Sequence, residues 1–278
     1  MPAKIIFTPD QEQDIIRLYH KHRSGRKTAR AAGYDRHTIQ KVLDKYNIER
    51  YPTNSNKLPV DHDYFKELTP GSSYFLGLWI ADGSFSFSKN GSGYFSISLK
   101  KEDRGILELL RKELKSEHKI INDRHLYKYS VGDNRLLLNI VKWGIEWEDK
   151  SHRLSDCSYL FNELDKTNTT HHFIRGVFDG DGGVSMPKYY YNTMVYFTGT
   201  KAFISKLQNV INAHCETKGY LQRDRQYKHV DGFYYALKYT GRQVSIKILD
   251  WLYQDKGEYY LKRKYNIYSR LLDQFSNK

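Results

Sequence analysis

Apolar positions recur along this chain in two rhythms, and each rhythm predicts an element. Residues 75–83 read Phe75-Leu76-Gly77-Leu78-Trp79-Ile80-Ala81-Asp82-Gly83, and residues 174–182 read Ile174-Arg175-Gly176-Val177-Phe178-Asp179-Gly180-Asp181-Gly182. Each is an apolar helical run with a small residue at the third and seventh places, Asp at the eighth and Gly at the ninth. Each is followed by a strand-like stretch. Gly77 and Ala81 are four apart, as are Gly176 and Gly180, so each pair shares one helix face. Two such faces can bring their backbones unusually close. The first run is apolar on all sides and predicts a helix buried all round. Thr69-Pro70 is its start signal, and Gly83 and Gly182 are read as the stops.

The other rhythm is period two. In 94–100, Phe95, Ile97 and Leu99 are expected to face a core while Tyr94, Ser96, Ser98 and Lys100 face out. A helix is expected over 103–115 with Ile106, Leu109 and Leu110 inward, then a strand at 127–131 and a helix at 133–143. The second half repeats the order, with strands at 196–198 and 234–239 and helices at 202–212 and 243–252. Ile106 matches Ile204 and Trp143 matches Trp251, so the chain reads as an internal duplication. The strand positions read as outward are small, polar or basic: Lys128, Ser130, Gln222, Arg223, Arg225, Lys238 and Thr240. Such a face suits base edges and phosphates; it is also the ordinary wet face of an antiparallel sheet.

Residues 1–50 read as a separate all-α domain. Thr8-Pro9-Asp10-Gln11 is a capping box, and Ile15, Ile16 and Tyr19 form the inner face of a first helix. A second helix through 27–32 stops at Gly33. A third begins near Asp35 with Ile39, Val42 and Leu43 inward, presenting Arg36, His37, Thr38, Gln40 and Lys41 outward. This reads as a helix-turn-helix with the third helix as reader; three-helix units of this kind also serve as protein contacts. Residues 51–61 are polar with two prolines and read as a linker. Half-domains over 62–165 and 166–278 follow.

Charge sharpens the picture. Among 278 residues, 45 are Lys or Arg and 32 Asp or Glu, a formal +13, which favours a polyanionic partner. No apolar run reaches the ~20 residues of a membrane span, and no secretory signal is visible, so no membrane role and an intracellular, cytoplasmic or organellar, location are expected. Cys157 and Cys215 are the only cysteines, too few for a disulfide framework, and are read as packing residues.

The chemistry lies in the repeat. Asp82 and Asp181 sit at paired helix ends, where two carboxylates would repel unless a cation joins them. Hard oxygen donors without His or Cys nearby suit Mg²⁺. An Asp-Gly pair alone would be turn chemistry; its duplication in one context argues otherwise.

These segments resemble the signature helices of the LAGLIDADG homing endonucleases, in their two-repeat, single-chain form, over roughly residues 62–278. The resemblance implies an α/β (α+β) fold: a pseudo-twofold pair of half-domains whose antiparallel sheets form a DNA-binding saddle, here with a small helix-turn-helix in front. It implies catalytic, metal-binding roles for Asp82 and Asp181. It places a basic residue beside the metal site, matched by Lys238 and less well by Lys128, because Ser130 aligns with Lys238 when Trp143 and Trp251 are matched. The family's Lys-Ser pair falls at Lys150-Ser151, a possible DNA contact. Its sixth signature position, often Asp, is Asp179 in the second copy but Ile80 in the first.

The function expected is a site-specific double-strand DNA endonuclease, monomeric on double-stranded DNA, using Mg²⁺, with Ca²⁺ supporting binding without cutting. The alternative is a non-cutting nucleic-acid binder on the same fold, a transcription regulator or an RNA maturase. The termini lack splice-junction residues, so a freestanding enzyme is expected rather than an intein-embedded one. A small-molecule hydrolase fits the charge poorly.

Overall fold

The computed structural model describes residues 7–22, 24–48, 58–87, 93–145, 157–186, 192–226 and 233–276. For Phe87, Arg225, Gln226, Phe233, Phe275 and Ser276 it describes the backbone alone. Lys150 and Ser151 lie outside the described residues, as does most of the 51–61 linker. The chain divides into two compact units, Met1–Lys57 and Leu58–Lys278.

The first unit holds α1 (Pro9–His22), α2 (Gly25–Ala32) and α3 (Arg36–Lys45). The capping box forms: Thr8 N donates to Gln11 Oε1 at 3.0 Å, and Gln11 N to Thr8 Oγ1 at 3.3 Å. Gly33 ends α2 at φ +73, a left-handed conformation that glycine adopts without strain. Ile15, Ile16, Tyr19, Ile39, Val42 and Leu43 form the core as their spacing predicts, with Ala29 between. Glu12 is buried and closes α1 onto the end of α3. It accepts from Lys45 Nζ at 2.6 and 2.8 Å and from Tyr46 Oη at 2.7 Å.

The second unit contains the duplication. Its first half runs α4 (Pro70–Asp82), β1 (Gly83–Phe87), β2 (Gly93–Lys100), α5 (Arg104–Glu113), β3 (Ile121–Asp123), β4 (Leu126–Gly132) and α6 (Asn134–Val141). After α7 (Ser158–Lys166) the same order returns: α8 (Thr170–Asp181), β5 (Gly182–Ser185), β6 (Met194–Thr200), α9 (Lys201–Cys215), β7 (Tyr220–Gln226), β8 (Phe233–Thr240) and α10 (Arg242–Tyr253). A further helix, α11 (Lys262–Ser276), follows. The strands form two antiparallel four-stranded sheets, ordered β1-β2-β4-β3 and β5-β6-β8-β7. The fold is α+β.

Registers in the two sheets correspond. Gly83 pairs with Ile97 as Gly182 pairs with Phe197, and Ser96 pairs with Ser130 as Tyr196 pairs with Lys238. Lys238 and Ser130 therefore occupy equivalent positions. One face of each sheet is apolar and buried: Phe95, Ile97, Tyr129 and Val131 in the first, Val195, Phe197, Leu237 and Tyr239 in the second. Trp79, fully buried on α4, stacks on Phe85 and Phe95 with ring centroids 5.6 and 5.8 Å away. Among the described residues no helix is long and apolar enough to cross a membrane.

One predicted face needs correction. Gln222 and Arg223 are neighbours on β7, and successive strand residues point to opposite sides. The register puts Gln222 opposite Ala236, on the outward face with Lys238, but Arg223 opposite Tyr235, on the side of Leu237. A register shift follows between Arg223 and Gln226, so a run of polar residues here is not one outward stripe.

Candidate active site

The two signature helices pack backbone to backbone. A Cβ on Gly77 would stand 2.1 Å from Phe173 O, and one on Gly176 would stand 2.1 Å from Tyr74 O and 2.7 Å from Leu78 N. One turn further, a Cβ on Gly180 would meet Ala81 Cβ at 2.2 Å. The four small residues thus line the α4–α8 contact, as their spacing predicts. At the N-terminal ends, Ser73 Oγ donates to Thr169 Oγ1 at 3.0 Å across the pair. Thr69 caps α4, with Ser72 closing a capping box.

This packing carries the two acids to one place. Asp82 and Asp181 are the last residues of α4 and α8. Asp82 Oδ2 lies 3.2 Å from where a Cβ of Gly180 would stand, one residue before Asp181. Thr198 Oγ1 on β6 holds the other helix end by donating to Asp181 O at 3.0 Å. Asp82 is half-buried and Asp181 exposed. The glycines after them stop the helices by a route other than the left-handed cap. Gly83 and Gly182 are extended, at φ −82 and −107. Glycine is required there by crowding, since a Cβ on Gly83 would meet the Trp79 ring at 2.2 Å.

Beneath the helix ends lies a charged network that the sequence did not disclose. Lys264, on α11, is buried and donates from Nζ to Phe178 O at 2.5 Å and Gly182 O at 2.6 Å. Burial pushes its ammonium down to about 8; the negative charges of Asp179, Asp82 and Asp181 act in the opposite direction. Asp179 is wholly buried, and its Oδ2 accepts from Tyr74 Oη and Leu261 N, both at 2.8 Å. Burial raises that carboxyl to about 6, against the pull of Lys264 and its hydrogen bonds. Arg175 is also fully buried. It donates to Tyr259 O at 2.6 Å and Leu252 O at 2.7 Å, and its Nη2 lies 2.7 Å from His172 Nδ1. Its guanidinium sits over the Tyr74 ring.

His171 and His172, at the start of α8, are both buried, with ring centroids 4.1 Å apart. Burial, then the Arg175 charge, holds them down at about 4 and about 3. The signal for this network was present as polar residues inside an otherwise apolar helix, but its partners in 252–264 are distant in sequence.

The outward sheet faces begin at the two acids. One rung runs Gly183, Tyr196, Lys238 and Tyr220; the equivalent rung in the first half is Ser84, Ser96 and Ser130. Lys238 Nζ donates to Gln222 Oε1 at 2.6 Å. Tyr196 covers Gly183, where a Cβ would meet its hydroxyl at 2.5 Å, and was not singled out from the sequence. Ser96 is only 4% exposed and bonds to Ser130, Oγ to Oγ 3.0 Å, so that pair is turned toward itself. Lys128 faces Ser98 on the next rung, level with the end of α4. The two lysines thus stand on different rungs. Lys100 and Thr240 are exposed at strand ends, and Thr240 lies 3.5 Å from the Tyr220 hydroxyl. The Arg225 side chain lies outside the described residues.

In the first unit, Arg36, His37, Gln40 and Lys41 are exposed on α3. Thr38 is not a free contact: its hydroxyl donates to Asp35 Oδ2 at 2.5 Å, and its N–H to Asp35 Oδ1 at 3.0 Å, as part of the helix cap.

Among the described residues no group of three or more His, Cys, Asp or Glu side chains is arranged to hold a metal ion. Asp82 and Asp181 form a two-carboxylate pair whose hard oxygens fit Mg²⁺, leaving other positions for water and a ligand.

No protein-family model and no curated protein matches the sequence. Solved structures do match. The meganuclease I-SmaMI, bound to uncleavable DNA, is 14% identical with TM-score 0.51, covering 74% of this chain and 90% of its own. I-LtrWI, a LAGLIDADG homing endonuclease bound to target DNA, is 17% identical at 0.46, covering 78% and 92%. Variants of the homing endonuclease I-DmoI are 19% identical at 0.45, covering 66% and 95%. The paired helices, the two matching sheets and the first of these likenesses give one result: this chain has the fold of the LAGLIDADG homing endonucleases, both half-domains in a single polypeptide.

Proposed function

We propose that this protein is a site-specific double-strand DNA endonuclease that acts as a monomer. The observation that carries the reading is the meeting of Asp82 and Asp181 at the ends of two helices packed backbone to backbone. A protein that only bound nucleic acid would gain nothing from two acids placed toward phosphates, which they repel. Asp82 and Asp181 would hold a divalent cation, Mg²⁺ in the cell. When bound, such a cation supplies charge stabilisation at the scissile phosphate.

The chain's own residues do the rest. Lys238 and Lys128, on outward rungs near the two acids, neutralise phosphate and stabilise charge that develops on its oxygens. Gln222, Thr240 and Ser98 offer hydrogen bonds to base edges. Arg36 and Lys41 on α3 serve phosphates, and His37 and Gln40 serve bases, in a helix-turn-helix arrangement. The net charge of +13 favours the same partner. With one acid per half, a single chain suffices for both strands.

The test is cleavage selection on a randomised duplex library with Mg²⁺. Recovery of one cut sequence family supports the reading. Recovery of bound but uncut sequences instead supports the regulator or maturase alternative.

A further inference from the structure

The backbones of α4 and α8 touch along one stripe of small residues. A contact confined to a line resists sliding, but two bodies can roll about it unless something off the line holds them. One segment does so. Residues 254–263 lead from α10 to α11 and are fastened to α8, in their own half: Arg175 Nε donates to Tyr259 O at 2.6 Å, and Leu261 N donates to Asp179 Oδ2 at 2.8 Å. The segment then crosses to the first half and follows α5 from one end to the other. Tyr259 Oη donates at 3.3 Å to Oε1 of Glu113, the last residue of α5. Arg263 Nε donates at 2.9 Å to Oδ2 of Asp103, the residue before α5, with Glu102 Oε1 3.6 Å away. The Tyr259 ring also meets Phe75 of α4 edge-on, centroids 6.1 Å apart.

Between these ends the segment does not close fully on α5. A cavity of about 570 Å³ lies between them, with Ile106 and Leu109 on one side and Tyr260 and Leu261 on the other. Much of the crossing therefore falls to its two polar ends. The Asp103 side chain is only 4% exposed, so removing Arg263 would leave a buried carboxylate short of its counter-charge, a strongly unfavourable state. The opposite crossing, from the first half onto α9, is held differently. There Lys206 Nζ on α9 lies 5.8 Å from the Phe161 ring of α7, and Asp165 Oδ1 lies 3.6 Å from His214 Nε2. Both members of that second pair are exposed, and exposed pairs contribute little.

We propose that residues 254–263 are a strap that fixes the angle between the two halves, with Arg263 and Tyr259 as its positioning residues, and that this fixed angle lets one binding event cut both strands. The proposal rests on the nuclease reading above. Asp82 belongs to one half and Asp181 to the other. A roll about the α4–α8 line moves each acid relative to DNA seated on the opposite sheet. A misplacement of ~1 Å costs up to about 100-fold in rate. One strand can still be cut when its own half is seated; both are cut together only when the angle is held.

Two measurements on the full chain test this. In the first, spin labels on Asn122→Cys and Lys218→Cys, exposed positions in opposite halves, report the distance between the halves by pulsed electron resonance; Cys157 and Cys215 are buried. Arg263→Ala is expected to broaden or shift the parental distance distribution, and Arg263→Lys to restore it. Tyr259→Phe loses only a hydroxyl and should shift it less; should Arg263→Ala fail to fold, this variant decides. In the second, a plasmid carrying the selected site is followed in Mg²⁺ from supercoiled to nicked to linear. Arg263→Ala is expected to slow the second cut about tenfold or more, with the first cut and DNA binding in Ca²⁺ within a few-fold of the parent. An ion pair that only adds stability would lower the melting temperature and leave both the distances and the nicked-to-linear ratio at parental values. That result overturns the strap. Altered distances with an undelayed second cut overturn the coupling of the strands. A parent that binds DNA but cuts neither strand overturns the nuclease reading and the coupling with it, while the distances still decide the strap.

Discussion

Gly176→Ala adds one methyl group at the point where α4 and α8 touch. The new carbon would lie 2.1 Å from Tyr74 O, short of a tolerable 3.0 Å by about 0.9 Å. Both obstructing groups, Tyr74 O and Leu78 N, are backbone and cannot rotate aside. The helices must part by close to that distance along their shared face. A gap of ~0.5–1 Å forfeits a quarter to a half of each dispersion contact it opens, and overpacking of this kind costs about 1–3 kcal/mol or more. Alanine returns up to about 1 kcal/mol of helix propensity. A net loss of about 2 kcal/mol is expected, or a fall of roughly 4–8 °C in melting temperature for a unit of this size. Parting the helices also parts Asp82 from Asp181, so cleavage should fall further than DNA binding. Gly105→Ala on α5 is the control, because no atom lies within 4 Å of its Cβ position. It should be neutral or stabilising by about 0.5–1 kcal/mol. Thermal melting of both variants settles the point. A Gly176→Ala protein as stable as the parent would refute backbone-to-backbone packing of the signature helices.

Acid should weaken the second unit. His171 and His172 are held neutral, at about 4 and about 3, whereas an unfolded histidine titrates near 6.5. Stability is therefore complete above pH 6.5 and is lost below it, by about 1.4 kcal/mol per histidine at pH 5.5. Asp179, whose folded value is raised to about 6, returns a smaller part over the same range. Melting at pH 7.5 and 5.5 checks this, with His172→Asn expected to shrink the difference by about 1.4 kcal/mol; equal stability at both pH values would contradict it. Deleting residues 1–57 should leave a folded nuclease with weaker binding and a shorter footprint. Arg36→Ala with Lys41→Ala should flatten the slope of log affinity against log salt by roughly 0.9 for each lost phosphate contact, and an unchanged slope would assign α3 another role.

Much of this molecule could be read from local pattern. The period-two stretch around Phe95, Ile97 and Leu99 became a strand with that face buried, because burial on one side dictates register. The Gly77/Ala81 and Gly176/Gly180 spacing became a helix contact, because helical geometry alone decides which residues share a face. Properties set by distant segments stayed hidden. Lys264 stands in a basic stretch, Lys262-Arg263-Lys264, whose composition suits a surface, yet it is buried against α8, some 80 residues earlier in the chain. Arg175 gave no sign that the carbonyls of Leu252 and Tyr259 awaited it. Residue type groups Arg223 with Gln222, but strand alternation sends the two to opposite sides of the sheet. Thr38 has the chemistry of a base contact, and its proximity to Asp35 commits it to the helix cap.

The central claim is that Asp82 and Asp181 together form the cutting centre, and replacing each carboxylate with its amide tests it most directly. Asp82→Asn and Asp181→Asn keep size and shape, so DNA binding in Ca²⁺ should stay within a few-fold of the parent. Cutting of a selected duplex in Mg²⁺ should no longer give double-strand breaks with either variant. Double-strand cleavage at the parental rate by either one would contradict the account.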